Sequence, residues 1–102
     1  MIHVIAIVTT KPGQRAAVLQ AFLANVPAVL AEAGCIEYVA TVDSTPPLGM
    51  QTECGAETFV VVEKWASREA LQAHSTAPHM AAYGAKVRDL IASRAIHVLT
   101  PA

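Results

Sequence analysis

Ile2 to Thr9, IHVIAIVT, is a β-branched run with apolar residues on both alternations. A strand that pairs on one sheet face and meets water on the other shows polar residues at every second position, so this run predicts a strand covered on both faces. In a chain of 102 residues with 54% apolar composition, few elements are available to do the covering. The domain is single, spanning residues 1–102.

Lys11, Pro12 and Gly13 interrupt the strand, with Pro12 suited to a first helical turn. Val18, Phe22, Val26 and Val29 then recur at helical spacing, predicting an amphipathic helix to about Ala33, kinked before Pro27 and ended by Gly34. Cys35 to Asp43 reads as a second strand, with Ile36, Tyr38, Ala40 and Val42 on one face. Ser44 to Ala56, carrying Pro46, Pro47, Gly49 and Gly55, is a long irregular segment of the kind that is functional or covers an interface. Glu57 to Trp65 resumes a strand in which Phe59, Val61, Glu63 and Trp65 share a face opposite Val60, Val62 and Lys64. Ser67 is an N-cap for a short helix to about His74, and Thr76 or Ala77 with Pro78 starts another through Met80, Tyr83, Val87 and Leu90 to about Ser93. Arg94 to Thr100 closes the chain as a strand.

The order β-α-β-β-α-β is the split βαβ, a ferredoxin-like α+β fold with an antiparallel sheet. Right-handed crossovers put both helical connections on one face of that sheet. The second apolar face is then bare, and a homodimer through the sheets, forming a dimeric α+β barrel, covers it. About 700 Å² of apolar sheet so covered contributes about 17 kcal/mol gross, before entropy losses.

Net charge is -1 and the seven Lys and Arg form no stripe, which argues against nucleic acid as a partner. The start has no basic n-region and no apolar run reaches about 18 residues, so neither a signal peptide nor a membrane span is expected, and a cytoplasmic address follows. Cys35 and Cys54 lack metal-ligand spacing and read as free thiols. His3 and His97 fall on strands that neighbour one another but lack a third ligand, so no metal is expected there.

Chemistry concentrates between Glu63 and Tyr83, EKWASREALQAHSTAPHMAAY. Glu63 lies on the helix-covered face, where a carboxylate needs a partner or carries a raised pKa. Trp65 on the same face either fills the core or lines a cavity. His74 ends a helix, where it can cap carbonyls or act as a base near neutral pH. His79 and Tyr83, four apart, either pair with one another or border a pocket mouth.

Taken together, the KPGQ turn, VPAVLAEAGCIEY, FVVVEKW and EALQAHSTAPHMAAY resemble the antibiotic biosynthesis monooxygenase (ABM) domain family, and within it the bacterial quinol monooxygenases. The resemblance spans almost the whole chain. It implies oxidation of a small hydroquinone or related phenol by O₂ with no metal, flavin or other cofactor. Glu63 and Trp65 share a strand face, His74 closes the next helix, and His79 and Tyr83 share a face of the one after, so all five can converge on one cavity. This predicts catalytic roles for His74, Glu63, His79 and Tyr83, with Glu63 orienting a histidine and Trp65 stacking on the substrate in a slot with Phe59 and Met80. The haem-degrading branch of that family uses an asparagine, a tryptophan and a histidine where this chain has Ala6, His74 and Gly84, which disfavours it. A non-catalytic dimeric module binding a small hydrophobic ligand is the alternative from outside enzymology.

Overall fold

In the computed structural model, which describes residues 1–102, the strands are β1 (Ile2–Thr10), β2 (Cys35–Thr41), β3 (Thr58–Trp65) and β4 (Ile91–Leu99). The helices are α1 (Arg15–Leu30), α2 (Arg68–Ser75) and α3 (Pro78–Val87), with a single 3₁₀ turn at Arg88–Leu90. All strand pairs are antiparallel and the sheet order is β2-β3-β1-β4, the ferredoxin-like arrangement expected from the element order.

Alternation along β1 and β3 sorts the two sheet faces. Ile2, Val4, Ala6 and Val8 of β1 and Phe59, Val61 and Trp65 of β3 are buried towards the helices, where they pack with Val18, Phe22 and Val29 of α1 and Val87 of α3. Phe59 and Trp65 are fully enclosed, and each stabilises the fold by roughly 1.5–3 kcal/mol as buried apolar surface. Ile5, Ile7, Val39, Val60, Val62 and Leu99 occupy the opposite face, which no element of the chain covers.

Several boundaries differ from those predicted. Pro12 lies in the turn before α1, because Gly13 takes a φ of 77° and delays the helix to Arg15. α1 runs through Pro27 but stops at Leu30, three residues early, and Gly34 with a φ of 84° redirects the chain into β2. β2 ends at Thr41: the carboxylate of Asp43 accepts the N–H groups of Cys54 and Gly55 at 2.8 and 2.9 Å and so closes the long loop. Those bonds also hold its pKa below the usual carboxylate range. A register shift between Cys35 and Glu37 turns Ile36 outward, so only Tyr38 and Ala40 of the predicted β2 face reach the core. At the far end α3 stops at Val87, and Ile91 to Ser93, predicted helical, extend β4 to pair with Thr10 and Thr9.

β4 is the sheet edge that the helices leave uncovered. Its inward side chains Ile96 and Val98, opposite Ala6 and Val4, are 54% and 46% exposed, which opens a space between the sheet and α2–α3.

Candidate active site

The cavity measures about 1040 Å³ and is walled by the helix-facing side of the sheet and by α2 and α3. Phe22, Phe59, Val61, Met80 and Leu71 supply apolar surface, and Tyr38, Tyr83, Glu63 and His74 bring polar groups to it.

His74 is placed by a close approach between two small residues. Ala66 donates its N–H to Gly34 O at 2.8 Å, and a Cβ on Gly34 would stand 2.6 Å from the Cβ of Ala70. The lack of a side chain at Gly34 thus lets the start of α2, whose first turn Ser67 caps by accepting the Ala70 N–H at 3.1 Å, sit against the α1–β2 turn. Glu32, two residues before Gly34, then meets His74, one helical turn beyond Ala70. His74 Nδ1 is 2.8 Å from Glu32 Oε2, and His79 Nε2 lies 3.1 Å from the same oxygen.

The indole of Trp65 lies beneath His74 with ring centres 4.7 Å apart, and Tyr38 meets the same imidazole edge-on at 5.4 Å. Phe22 stacks on Tyr38 and packs edge-on to Tyr83, joining α1 to both sides of the site.

Three predicted placements are corrected by this geometry. Glu63 does not orient a histidine: its Oε1 accepts the Trp65 Nε1–H at 2.9 Å, and Glu32 is the carboxylate that the histidines meet. Trp65 contributes nothing to the cavity wall, since its indole is wholly enclosed behind His74. His79 does not pair with Tyr83 but bonds Glu32 and Asn25, and it borders a separate cleft of about 130 Å³ between α1 and α3. His74, Glu63, Tyr83, Phe59 and Met80 do line the main cavity.

Glu32, Asn25 and Tyr38 carried no local signal in the sequence. Glu32 is 42 residues from His74, and Asn25 is 54 from His79. Tertiary packing connects them, Glu32 to His74 at the Gly34–Ala70 approach and Asn25 to His79 where α1 lies against α3.

Burial sets the protonation of the remaining groups. It raises the carboxyl of Glu63, an effect that the Trp65 hydrogen bond and the proximity of His74 oppose. It also pushes both phenols up, Tyr38 strongly with the negative charge of Glu63 adding to it, and Tyr83 less because Arg94 favours the phenolate. Both tyrosines are therefore hydrogen-bond donors to the cavity at neutral pH. The Cys35 thiol is pushed up by burial and by Glu32 and Glu63, which leaves it a poor nucleophile, and both cysteines are free.

Residues 1–86 match the family described as Antibiotic biosynthesis monooxygenase. The chain belongs to that family. It is 39% identical over 103 residues to the protein of Escherichia coli K12 named "Probable quinol monooxygenase YgiN", covering 99% of this chain and 98% of the relative. The Shigella flexneri protein of that name is similar to the same extent. Among solved structures, this ABM chain superposes on PA3566 from Pseudomonas aeruginosa with a TM-score of 0.81 at 25% identity, covering 99% of this chain and 93% of that one. It superposes on Rv0793 from Mycobacterium tuberculosis with a TM-score of 0.78 at 29% identity, covering 99% and 94%. The ABM fold and a monooxygenase-type oxidoreductase activity are thereby supported together. No helix of the ABM chain is long and apolar enough to cross a membrane.

Proposed function

We propose that this ABM protein oxidises a small hydroquinone, or a related phenol, with O₂, drawing the electrons from the substrate ring without a metal or flavin. The observation that carries the reading is the state of His74. Its Nδ1 is engaged by Glu32, while Nε2 makes no hydrogen bond within the chain and is not sealed from the cavity that the ring lines. An imidazole with one nitrogen anchored and the other open is suited to take a proton from a bound phenol.

Deprotonation turns the hydroquinone into a strong one-electron donor, so O₂ can be reduced without an intervening cofactor. Apolar side chains line the sheet side of the slot, and the Tyr38 and Tyr83 hydroxyls are donors to the oxygens of the reactive anion. For simple hydroquinone the balance is C₆H₆O₂ + O₂ → C₆H₄O₃ + H₂O. One oxygen atom enters the ring and the other leaves as water, and the ring supplies all four electrons. Met80 borders the substrate ring, the fully enclosed Phe59 backs the cavity wall, and Trp65 supports His74 from behind rather than stacking on substrate. The E. coli relative's name supports the quinol class.

The uncovered sheet face supports a second part of the reading, a homodimer through the sheets. Ile7, Val39 and Leu99 are 36%, 46% and 47% exposed on that face, beside Ile5, Val60 and Val62. The Lys64–Glu37 pair at 3.6 Å shares this side of the sheet. A second copy offers a self-complementary apolar surface.

Labelling tests the chemistry. With ¹⁸O₂ and a hydroquinone, one label per product molecule and no accumulation of peroxide are expected. Unlabelled quinone with stoichiometric hydrogen peroxide would replace oxygenation by simple oxidation.

A further inference from the structure

The following rests on His74 being the base. We propose that Glu32, itself held by His79 and Asn25, is the positioning residue that fixes the His74 tautomer and keeps Nε2 open to the cavity.

One oxygen atom carries the argument. Oε2 of Glu32 lies 2.8 Å from His74 Nδ1 and 3.1 Å from His79 Nε2. An ionised carboxylate oxygen only accepts, so both ring nitrogens that face it bear hydrogen. A neutral imidazole has hydrogen on one nitrogen alone, which leaves the lone pair of His74 on Nε2, the atom available to substrate. With the opposite tautomer, a lone pair would face the carboxylate and Nε2 would carry the hydrogen, and the base would be lost.

The far end of the array enforces the same direction. Asn25 Nδ2 stands 3.2 Å from His79 Nδ1 and 3.4 Å from Met80 Sδ. Met80 Sδ can only accept, which orients the amide with Nδ2 towards it and towards His79, so Nδ1 of His79 accepts and Nε2 carries the hydrogen given to Glu32. Asn25 on α1 therefore directs His79 on α3, His79 anchors Glu32 in the α1–β2 turn, and Glu32 orients His74 on α2. Each donor meets an acceptor, and reversing any member leaves two donors or two acceptors face to face.

Side chains of both other neighbouring elements leave the ring nitrogens of His74 free: Glu63 on β3 is taken by Trp65, and Tyr38 on β2 meets the ring only edge-on. When Nε2 takes a phenolic proton, the O–H bond breaks and an N–H bond forms. The resulting imidazolium is met by the Glu32 carboxylate, and the proton remains on Nε2 for return to reduced oxygen.

Nitrogen-15 NMR of the labelled full chain reads the tautomer without reference to activity. His74 is expected as the Nδ1–H form, although free histidine favours Nε2–H. Glu32→Ala should shift His74 towards Nε2–H and lower kcat by about tenfold or more with KM little changed, whereas Glu32→Gln, which keeps an acceptor oxygen, should restore the tautomer and part of kcat. Wild-type His74 in the Nε2–H form overturns the proposal even if Glu32→Ala fails to fold. So does a fully active Glu32→Ala beside an inactive His74→Gln, an outcome that leaves the hydroquinone reading intact. A fully active His74→Gln overturns the proposal together with the assignment of His74 as the base, while hydroquinone turnover itself stands.

Discussion

The carboxylate of Glu63 is held by its neighbour on the same strand face: Trp65 donates its indole N–H to Glu63 Oε1 at 2.9 Å, in a site where both residues are buried. The pair has a consequence for stability. Burial raises the Glu63 carboxyl above 4.5, so the folded protein binds this proton more tightly than the unfolded chain does. The stability it contributes is fully present below about pH 4.5 and is lost as pH rises through the raised value. Glu63→Gln keeps an acceptor for the indole and removes the ionisation. Urea melts across pH 4 to 8 should therefore show the variant gaining stability relative to wild type as pH rises, then levelling. A difference that does not change with pH would contradict the raised carboxyl.

Much of this molecule is legible in its sequence. The β-branched run of β1, apolar on both alternations, and the helical spacing of Val18, Phe22 and Val29 were enough to give element order and topology, because period and connection rules are local. The end of α3 was not legible. Ile91, Ala92 and Ser93 suit either a helix or a strand, and pairing with Thr9 and Thr10, some 80 residues away in sequence, decides it. The site was half visible for a similar reason. Residues between Glu63 and Tyr83 could be grouped by face, but Glu32 and Asn25 reach them only through tertiary contact. Trp65 was correctly assigned to a face, yet sequence carries no measure of depth, and the ring lies behind the cavity.

Gly34 is the position where backbone shape and site geometry coincide. A Cβ there meets that of Ala70 at 2.6 Å on a residue whose φ is 84°. Gly34→Ala should destabilise by about 1–3 kcal/mol from backbone strain and the clash. Activity should fall beyond that loss, because Glu32 is drawn away from His74. Gly49, with nothing within 4 Å, is the control, and Gly49→Ala should be near neutral. Equal stability of the two variants would contradict the close approach.

The sheet-to-sheet dimer predicts a mass of about twice 10.7 kDa by light scattering at low micromolar concentration. Val62, opposite Ile5 and Val39 on the uncovered face, is the residue to perturb. Val62→Asp should dissociate or unfold the protein, since an unpaired charge in such an interface costs several kcal/mol. A dimer of unchanged stability in the variant would assign the interface to another surface.

His74 is the side chain on which the chemistry turns. His74→Gln retains a donor for Glu32 while removing the open imidazole nitrogen. Its kcat should fall by about 10²-fold or more, with the dimer and substrate affinity largely kept. An equal loss of affinity with kcat unchanged would make His74 a binding group only.

Oxygen consumption by chelator-treated, flavin-free protein with a panel of hydroquinones reads out cofactor-independent turnover. At least one hydroquinone should be turned over well above its autoxidation rate, at one O₂ per substrate, and that excess should disappear in His74→Gln. Consumption no faster than autoxidation for every member, with the same compounds binding in the cavity, would make the protein a ligand-binding module. Activity that returns only on adding a metal or flavin would contradict a reaction driven by the substrate's own electrons.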